Sequence, residues 1–279
     1  MMPSSPAPAS TSPSTPAPPH PLVLAERHGT TLVLRLNRPE AGNAISGAVA
    51  QALGDQLRAC ASDTALRTLI ITGAGPRFFC TGGDVKAYAQ LADAGELDRV
   101  FNLMRDVCDA IEALPYPVIA ALNGFTIGGG AELALACDLR IAESAVQIGF
   151  PQSRLGIIPG WDGIERLVRL VGRAAAAKLL YSGQRVSAAE ARNLRLVDEV
   201  AADGKALERA LDLAATFAEC APLSLGAIKT AMRDAESALP ADEVRRKTRA
   251  AFARLWFTED HKEAERAFAE KRTPSFHGR

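Results

Sequence analysis

Two glycine-rich stretches hold the chemistry available to this 279-residue chain. They are FFCTGGDVK at 78–86 and NGFTIGGGAELA at 123–134. Glycine permits positive φ and lets a backbone approach a ligand closely. A helix that starts just after such a loop leaves unpaired N–H groups at its beginning, with the positive end of the dipole behind them. Two such loops at neighbouring strand ends would aim two donors at one oxygen, forming an oxyanion hole. Removing one donor of that kind costs roughly 100- to 1,000-fold in rate. One loop alone would more simply be a tight turn. Two loops, each with acidic or helix-capping punctuation, favour a site.

Glu132 lies two residues after the triple glycine, in the expected first helical turn. A carboxylate there complements the helix dipole in a purely structural role. Its neighbours Ala131, Leu133, Ala134 and Leu135 are apolar. Desolvation among them raises the pKa toward neutrality and suits the group to moving a proton or holding a water. The functional reading is favoured. Other templates fail. Phe78 stands where a dinucleotide fingerprint starting at Gly73-x-Gly75 needs its third glycine, and no P-loop occurs. His20, His28, His261 and His277 lie outside both glycine loops, against a Ser-His-Asp or Cys-His catalyst. No metal-ligand spacing appears. What remains is acid–base chemistry by carboxylates and amides, with no metal or inorganic cofactor.

The elements that must position these loops read as follows. Residues 22–27 and 31–37 form a hairpin across His28-Gly29. Ser46 caps a helix to about Cys60. Residues 68–75 are a buried strand ending in glycine, 95–114 an amphipathic helix, and 116–124 a second strand with a glycine loop. A helix follows from about Gly129 to Cys137, then strands near 138–142 and 146–149. After Gly172 the pattern is helical to about Ala269. This gives an α/β layered body at 22–203 and a helical C-terminal region at 204–279.

Residues 1–21 read as a disordered tail. The first 20 residues hold seven of the 17 prolines and no Asp, Glu, Lys or Arg. They lack the apolar segment of a secretory signal and the arginines of a transit peptide. No window offers about 18 uninterrupted apolar residues, so no membrane span is expected. Lys plus Arg and Asp plus Glu both total 32, which argues against nucleic acid and anionic membrane as partners. Five scattered cysteines with no CxxC pair suggest reduced thiols in a cytoplasmic protein.

Six stretches in order resemble the enoyl-CoA hydratase/isomerase, or crotonase, family. They are NRPEAGNAI (37–45), FFCTGGDVK (78–86), NGFTIGGGAELALACDLRIA (123–142), GFPQSRLGIIPGWDGIERLVRLVG (149–172), RLVDEV (195–200) and FAEKRTPSF (268–276). The resemblance spans nearly the whole chain from about residue 22. It implies a crotonase spiral of ββα units with a helical trimerisation region, assembled as a trimer or a dimer of trimers. It implies an acyl-CoA thioester substrate, with coenzyme A entering only as part of that substrate. The Gly83 and Gly129 amides match the family's oxyanion-hole donors. Glu132 matches one of two catalytic glutamates. Ala41, Asp84, Gly160 and Trp161 fall at substrate-binding positions. Phe268 and Lys271 match positions that approach the CoA of an adjacent subunit. Independently, Lys271-Arg272 could pair with CoA phosphates, or be a solvated helix end with a favourable dipole.

Departures from the family pattern narrow the chemistry. Where hydratases carry a second glutamate after a proline, this chain reads Phe150-Pro151-Gln152. Glutamine can hold a water but cannot take or give a proton at neutral pH. Asp162, in PGWDG where relatives commonly read PGAGG, is either a substitute carboxylate or, as we favour, an N-cap for the next helix. Trp161 either narrows the acyl pocket or fills a core gap. Glu40 replaces a lysine that many relatives place near CoA. The outcomes left open are hydration with Glu132 as sole acid–base, double-bond isomerisation, decarboxylation of a malonyl-type thioester, and a non-catalytic acyl-CoA-binding protein.

Overall fold

The computed structural model describes residues 20–89 and 91–279. The expected tail, apart from its last two residues, lies outside them. The first strands are β1 (Val23–His28) and β2 (Thr31–Leu36). They pair antiparallel around Gly29 and Thr30, one residue later than the sequence suggested. Gly29 takes φ +59 there.

After β2 comes α1 (Gly47–Ser62), whose Ser46 side chain caps the Val49 amide as expected. The chain then repeats one pattern. A strand enters a first sheet, a shorter strand enters a second sheet, and a helix returns. The first pass is β3 (Thr68–Gly73), β4 (Phe78–Cys80), α2 (Val85–Tyr88) and α3 (Ala94–Ala113). The second is β5 (Val118–Leu122), β6 (Phe125–Ile127) and α4 (Gly129–Ala136). The third is β7 (Leu139–Glu143), β8 (Gln147–Gly149) and α5 (Gly163–Ser182). The first sheet orders as β1-β2-β3-β5-β7-β10 and the second as β4-β6-β8-β9, where β9 is Arg185–Ser187 and β10 is Glu199–Ala201. Parallel pairing of β2, β3, β5, β7 and β10 gives the expected ββα spiral.

The strands explain themselves by burial. β3 and β5 are buried at every residue, as suits continuous apolar runs covered on both faces. One face meets α1 and α3 through Leu53, Leu57, Met104 and Ile111. The other meets α7 (Ala206–Ala218) through Ala206, Ala210 and Ala214, an i, i+4 row of small residues that lets the helix lie close to Val33, Ile70 and Ile119.

The expectation of unbroken helix after Gly172 is corrected. Gly172 itself interrupts α5 with φ +78. β9, α6 (Ala188–Asn193) and β10 then complete both sheets before α7. Three-residue strands are too short to show a period of two, so they were silent in the sequence. The chain closes with α8 (Pro222–Glu236), α9 (Ala241–Trp256) and α10 (Glu259–Glu270). Lys229 of α8 anchors that region. Its buried ammonium donates to the Ile111 and Tyr116 carbonyls and pairs with Asp138 at 2.7 Å. The five cysteines are unpaired, four of them buried.

Candidate functional site

The two glycine loops meet. Gly82 takes φ +97, open to glycine, and a Cβ there would sit 2.8 Å from the Gly129 nitrogen and 3.2 Å from the Ile127 oxygen. Gly128, at φ +58 and ψ −123, turns the chain into α4. Any larger residue at 82 would push the second loop away. The Gly83 and Gly129 N–H groups have no acceptor among the described residues.

The first loop is held from behind. Ile45 N donates to Gly82 O at 2.8 Å, and Asp84 N to Ile45 O at 2.9 Å. Thr81 bonds twice to Gly42 O, which places the 3₁₀ turn at Pro39–Ala41, with half-buried Ala41, beside the loop. Asn43 locks this arrangement. Its buried amide donates to Ala74 O and Phe78 O and accepts from Arg38 N. Asp84 caps α2 through Ala87 N and pairs with Arg38 at 3.1 Å.

Glu132 is buried at 2% exposure, one turn into α4. Its Oε1 accepts from Gln152 Nε2 at 3.0 Å and Gly160 N at 3.3 Å. Its Oε2 accepts from Trp161 N at 2.8 Å and Gly163 N at 3.1 Å. Burial pushes the carboxyl above the ordinary glutamate range, and these four donors pull it part of the way back. The desolvation expected from the apolar neighbours is therefore present. Gln152 is buried too, and its Oε1 has no hydrogen-bond partner among the described residues. The amide thus gives one hydrogen bond to Glu132 and keeps one acceptor free.

Asp162 departs from expectation. It occupies the N-cap position of α5, but at φ +61 and without a side-chain capping bond. It is exposed, and it is not among the groups that contact Glu132. A residue in the left-handed region cannot present its carboxylate to the following amides as an extended N-cap does. Glu132 accepts from the Gly163 N–H, the first of the unpaired amides at the start of α5.

Three aromatic rings sit where glycine side chains would be. A Cβ on Gly83 would lie 2.2 Å from Tyr88, one on Gly160 2.5 Å from Phe101, and one on Gly129 2.4 Å from Trp161. Tyr88 and Phe101 are themselves in contact, centroids 5.2 Å apart, and the Tyr88 hydroxyl donates to Ile45 O. Trp161 is 2% exposed and belongs to the main core, so it fills space against the second loop. Tyr88 and Phe101 were missed in the sequence, because aromatic residues at helical spacing read as core. Arg105 and Arg166 were missed for a related reason: on amphipathic helices they read as surface charge.

Phe268 and Lys271 lie far along the chain at the end of α10. Both are exposed, and Lys271 ends the helix at φ +55. The pairing of Arg272 with a CoA phosphate is not supported by its surroundings. Its guanidinium is engaged by Glu263, at 2.5 and 3.1 Å, and by Glu270 at 2.6 Å.

The sequence profile of the enoyl-CoA hydratase/isomerase family matches residues 26–279. A 2,3-dehydroadipyl-CoA hydratase of Escherichia coli (strain K12) is 39% identical over 92% of this chain and 99% of its own length. A short-chain-enoyl-CoA hydratase of Clostridium acetobutylicum is 34% identical over 90% of this chain and 95% of its own. The solved enoyl-CoA hydratase of Bacillus anthracis superimposes with a TM-score of 0.89 at 33% identity, over 92% of this chain and all of the other. The chain belongs to the enoyl-CoA hydratase/isomerase family.

Proposed function

We propose that this protein is an enoyl-CoA hydratase in which Gly83 and Gly129 hold the thioester oxygen and Glu132 is the only proton-transferring side chain. The observation that carries this reading is the buried, four-fold hydrogen-bonded Glu132 carboxylate next to two loop amides that lack acceptors among the described residues. In the forward direction Glu132 starts as the carboxylate. A water donates one proton to it while the water oxygen bonds to the β-carbon. The double-bond electrons move to the thioester oxygen, where two N–H donors stabilise the enolate. The enolate collapses, its α-carbon takes the proton back from Glu132, and the carboxylate is restored. The free Oε1 of Gln152 accepts the other hydrogen of that water and orients it. The relatives named hydratases support addition of water.

Isomerisation is the second reading. One base that removes a proton at one carbon and returns it at another needs no second carboxylate, and Gln152 supplies none. The deciding experiment is a panel of enoyl-, dienoyl- and malonyl-type CoA esters assayed with wild type and Glu132→Ala. Hydration by the wild type, with a loss of roughly 100- to 10,000-fold in the variant, is expected. An active wild type matched by Glu132→Ala would end the proposal.

We also propose a homo-oligomer in which the exposed Phe252, Trp256 and Phe257 are covered by neighbouring copies, and Phe268 and Lys271 reach a neighbour's CoA. Isolated exposed aromatics are ordinary, but three on adjacent turns form a patch that water disfavours. A monomer in sedimentation equilibrium would count against this assembly.

A further inference from the structure

The peptide run 160–163 is polarised across its width. Its amides point inward: Gly160 N, Trp161 N and Gly163 N all donate to Glu132. Two of its carbonyls are held by guanidinium groups. Arg105 Nε donates to Gly160 O at 3.0 Å, and Arg166 Nη1 donates to Trp161 O at 2.7 Å. Both arginines are tied to α3. Arg105 belongs to it and bonds to Asn102, while Arg166 pairs with Asp109 at 2.7 Å and Glu112 at 3.0 Å. Arg166 is buried, and of its two carboxylate partners Glu112 is the better shielded from solvent, Asp109 being largely exposed. Asp162, in the middle of the run, is held at φ +61, a conformation unfavourable for a non-glycine residue.

We propose that Arg105 and Arg166 are positioning residues that clamp the 160–163 carbonyls so that the opposite amides set the proton affinity of Glu132. Neither touches substrate in this proposal. It rests on Glu132 as the proton-transferring group, and it adds what tunes that group. A cation on a carbonyl draws electron density from the same peptide: Arg105 on Gly160 O strengthens the Trp161 N–H that donates to Glu132, whereas Arg166 on Trp161 O polarises the Asp162 N–H and acts on Glu132 by holding the run in place. A clamp also prevents the run from relaxing out of its left-handed residue, which would withdraw the three donors together.

Among the described residues, Arg105 and Arg166 are the cationic side chains bonded to the 160–163 run. The other charged or titratable side chains near α4 include Cys108, Asp109 and Glu112 of α3, Cys80 of β4, the exposed Asp162, and Cys137 and Arg140 at the far end of α4, where Arg140 donates to Ala134 O and Cys137 O. Burial holds the Cys108 and Cys80 thiols protonated, Cys80 pushed up to about 12. Asp109 and Glu112 are spent on Arg166.

The test reads Glu132 directly. Protein carrying carboxyl-labelled glutamate is titrated by carbon-13 NMR, with the Glu132 signal assigned by its absence in Glu132→Gln. Wild type, Arg166→Met, Arg166→Lys and Arg105→Met are compared. Loss of Arg166 should raise the Glu132 midpoint by about one pH unit, the weight of one charge-assisted hydrogen bond weakened. The sign follows because the lost donors favoured the charged carboxylate. Lysine should restore part of the shift, since it supplies one cation without the fork. Arg105→Met should raise the midpoint by less. The acid limb of kcat/KM should move with the midpoint. A folded Arg166→Met or Arg105→Met with an unmoved midpoint overturns the clamp. If Arg166→Met does not fold, the lysine variant and Arg105→Met decide by the same shift. Full activity of Glu132→Gln would instead sink the underlying reading and leave the midpoint data standing.

Discussion

Replacing Gln152 by glutamate should create a coupled acid–base pair. In the native site Gln152 Nε2 lies 3.0 Å from Glu132 Oε1 in a buried pocket. With Gln152→Glu, two carboxyl groups share that contact. Their charge centres would be about 4 Å apart, and at an effective dielectric of about 20 the repulsion of two anions is about 4 kcal/mol. That corresponds to about three pKa units between the first and second ionisation. The pair therefore keeps one proton through neutral pH, shared as an O–H···O bond that replaces the lost N–H···O bond. One carboxylate can then activate water while its protonated neighbour delivers a proton to carbon. Crotonyl-CoA hydration, followed as loss of the conjugated absorbance, should rise at least about tenfold. The pH profile should change from a single acid limb to a bell. Circular dichroism and melting would verify the fold. A folded Gln152→Glu with wild-type hydration and a single limb would refute the reasoning that the missing carboxyl limits this site.

The remaining predictions use the same contacts. In the wild type, the acid limb of kcat/KM should lie above the ordinary glutamate range. Burial raises Glu132, and the proposed reaction needs its carboxylate, so activity should fall as pH drops through that raised value; a limb at or below the ordinary range would contradict this. Gly129→Ala places a methyl 2.4 Å from the Trp161 ring and should lower kcat roughly 100-fold. In a Trp161→Leu background the same change should cost much less, because the obstruction is gone; equal costs in both backgrounds would show that the ring is not the cause. Asn43→Ala strands the buried Ala74 carbonyl and the half-buried Phe78 carbonyl and should cost about 3 kcal/mol in urea unfolding. A loss below about 1 kcal/mol would mean that water or backbone movement replaces those bonds.

The legible parts of this molecule are those whose cause is local. The β3 and β5 runs announce burial by uninterrupted apolar residues, and Ser46 announces a helix by its side chain. The two glycine loops were visible because backbone freedom is a property of one residue at a time. Glu132 was visible because its four apolar neighbours alone predict desolvation. The parts that stayed silent depend on partners far apart in sequence. Arg166 meets residues 54 and 57 positions earlier, and Lys229 reaches Ile111 across 118 positions. Asp162 misled for a complementary reason. Aspartate before a helix usually caps it, but here the left-handed backbone leaves the side chain exposed and without a capping bond. The ends of β9 and β10 were hidden by brevity rather than by ambiguity.

The contact between Gln152 and Glu132 also has a genetic side. Glutamine and glutamate codons differ only at the first base, so one nucleotide separates this gene from a two-carboxylate site. Gly129 offers no comparable step. Every single-base escape from a glycine codon adds at least a methyl group, and the Trp161 ring already fills that place. Point mutation can therefore change the number of acid–base groups without disturbing the amide donors. Within such a lineage, the proposed reaction would shift between hydration and isomerisation while the proposed grip on the thioester stays fixed.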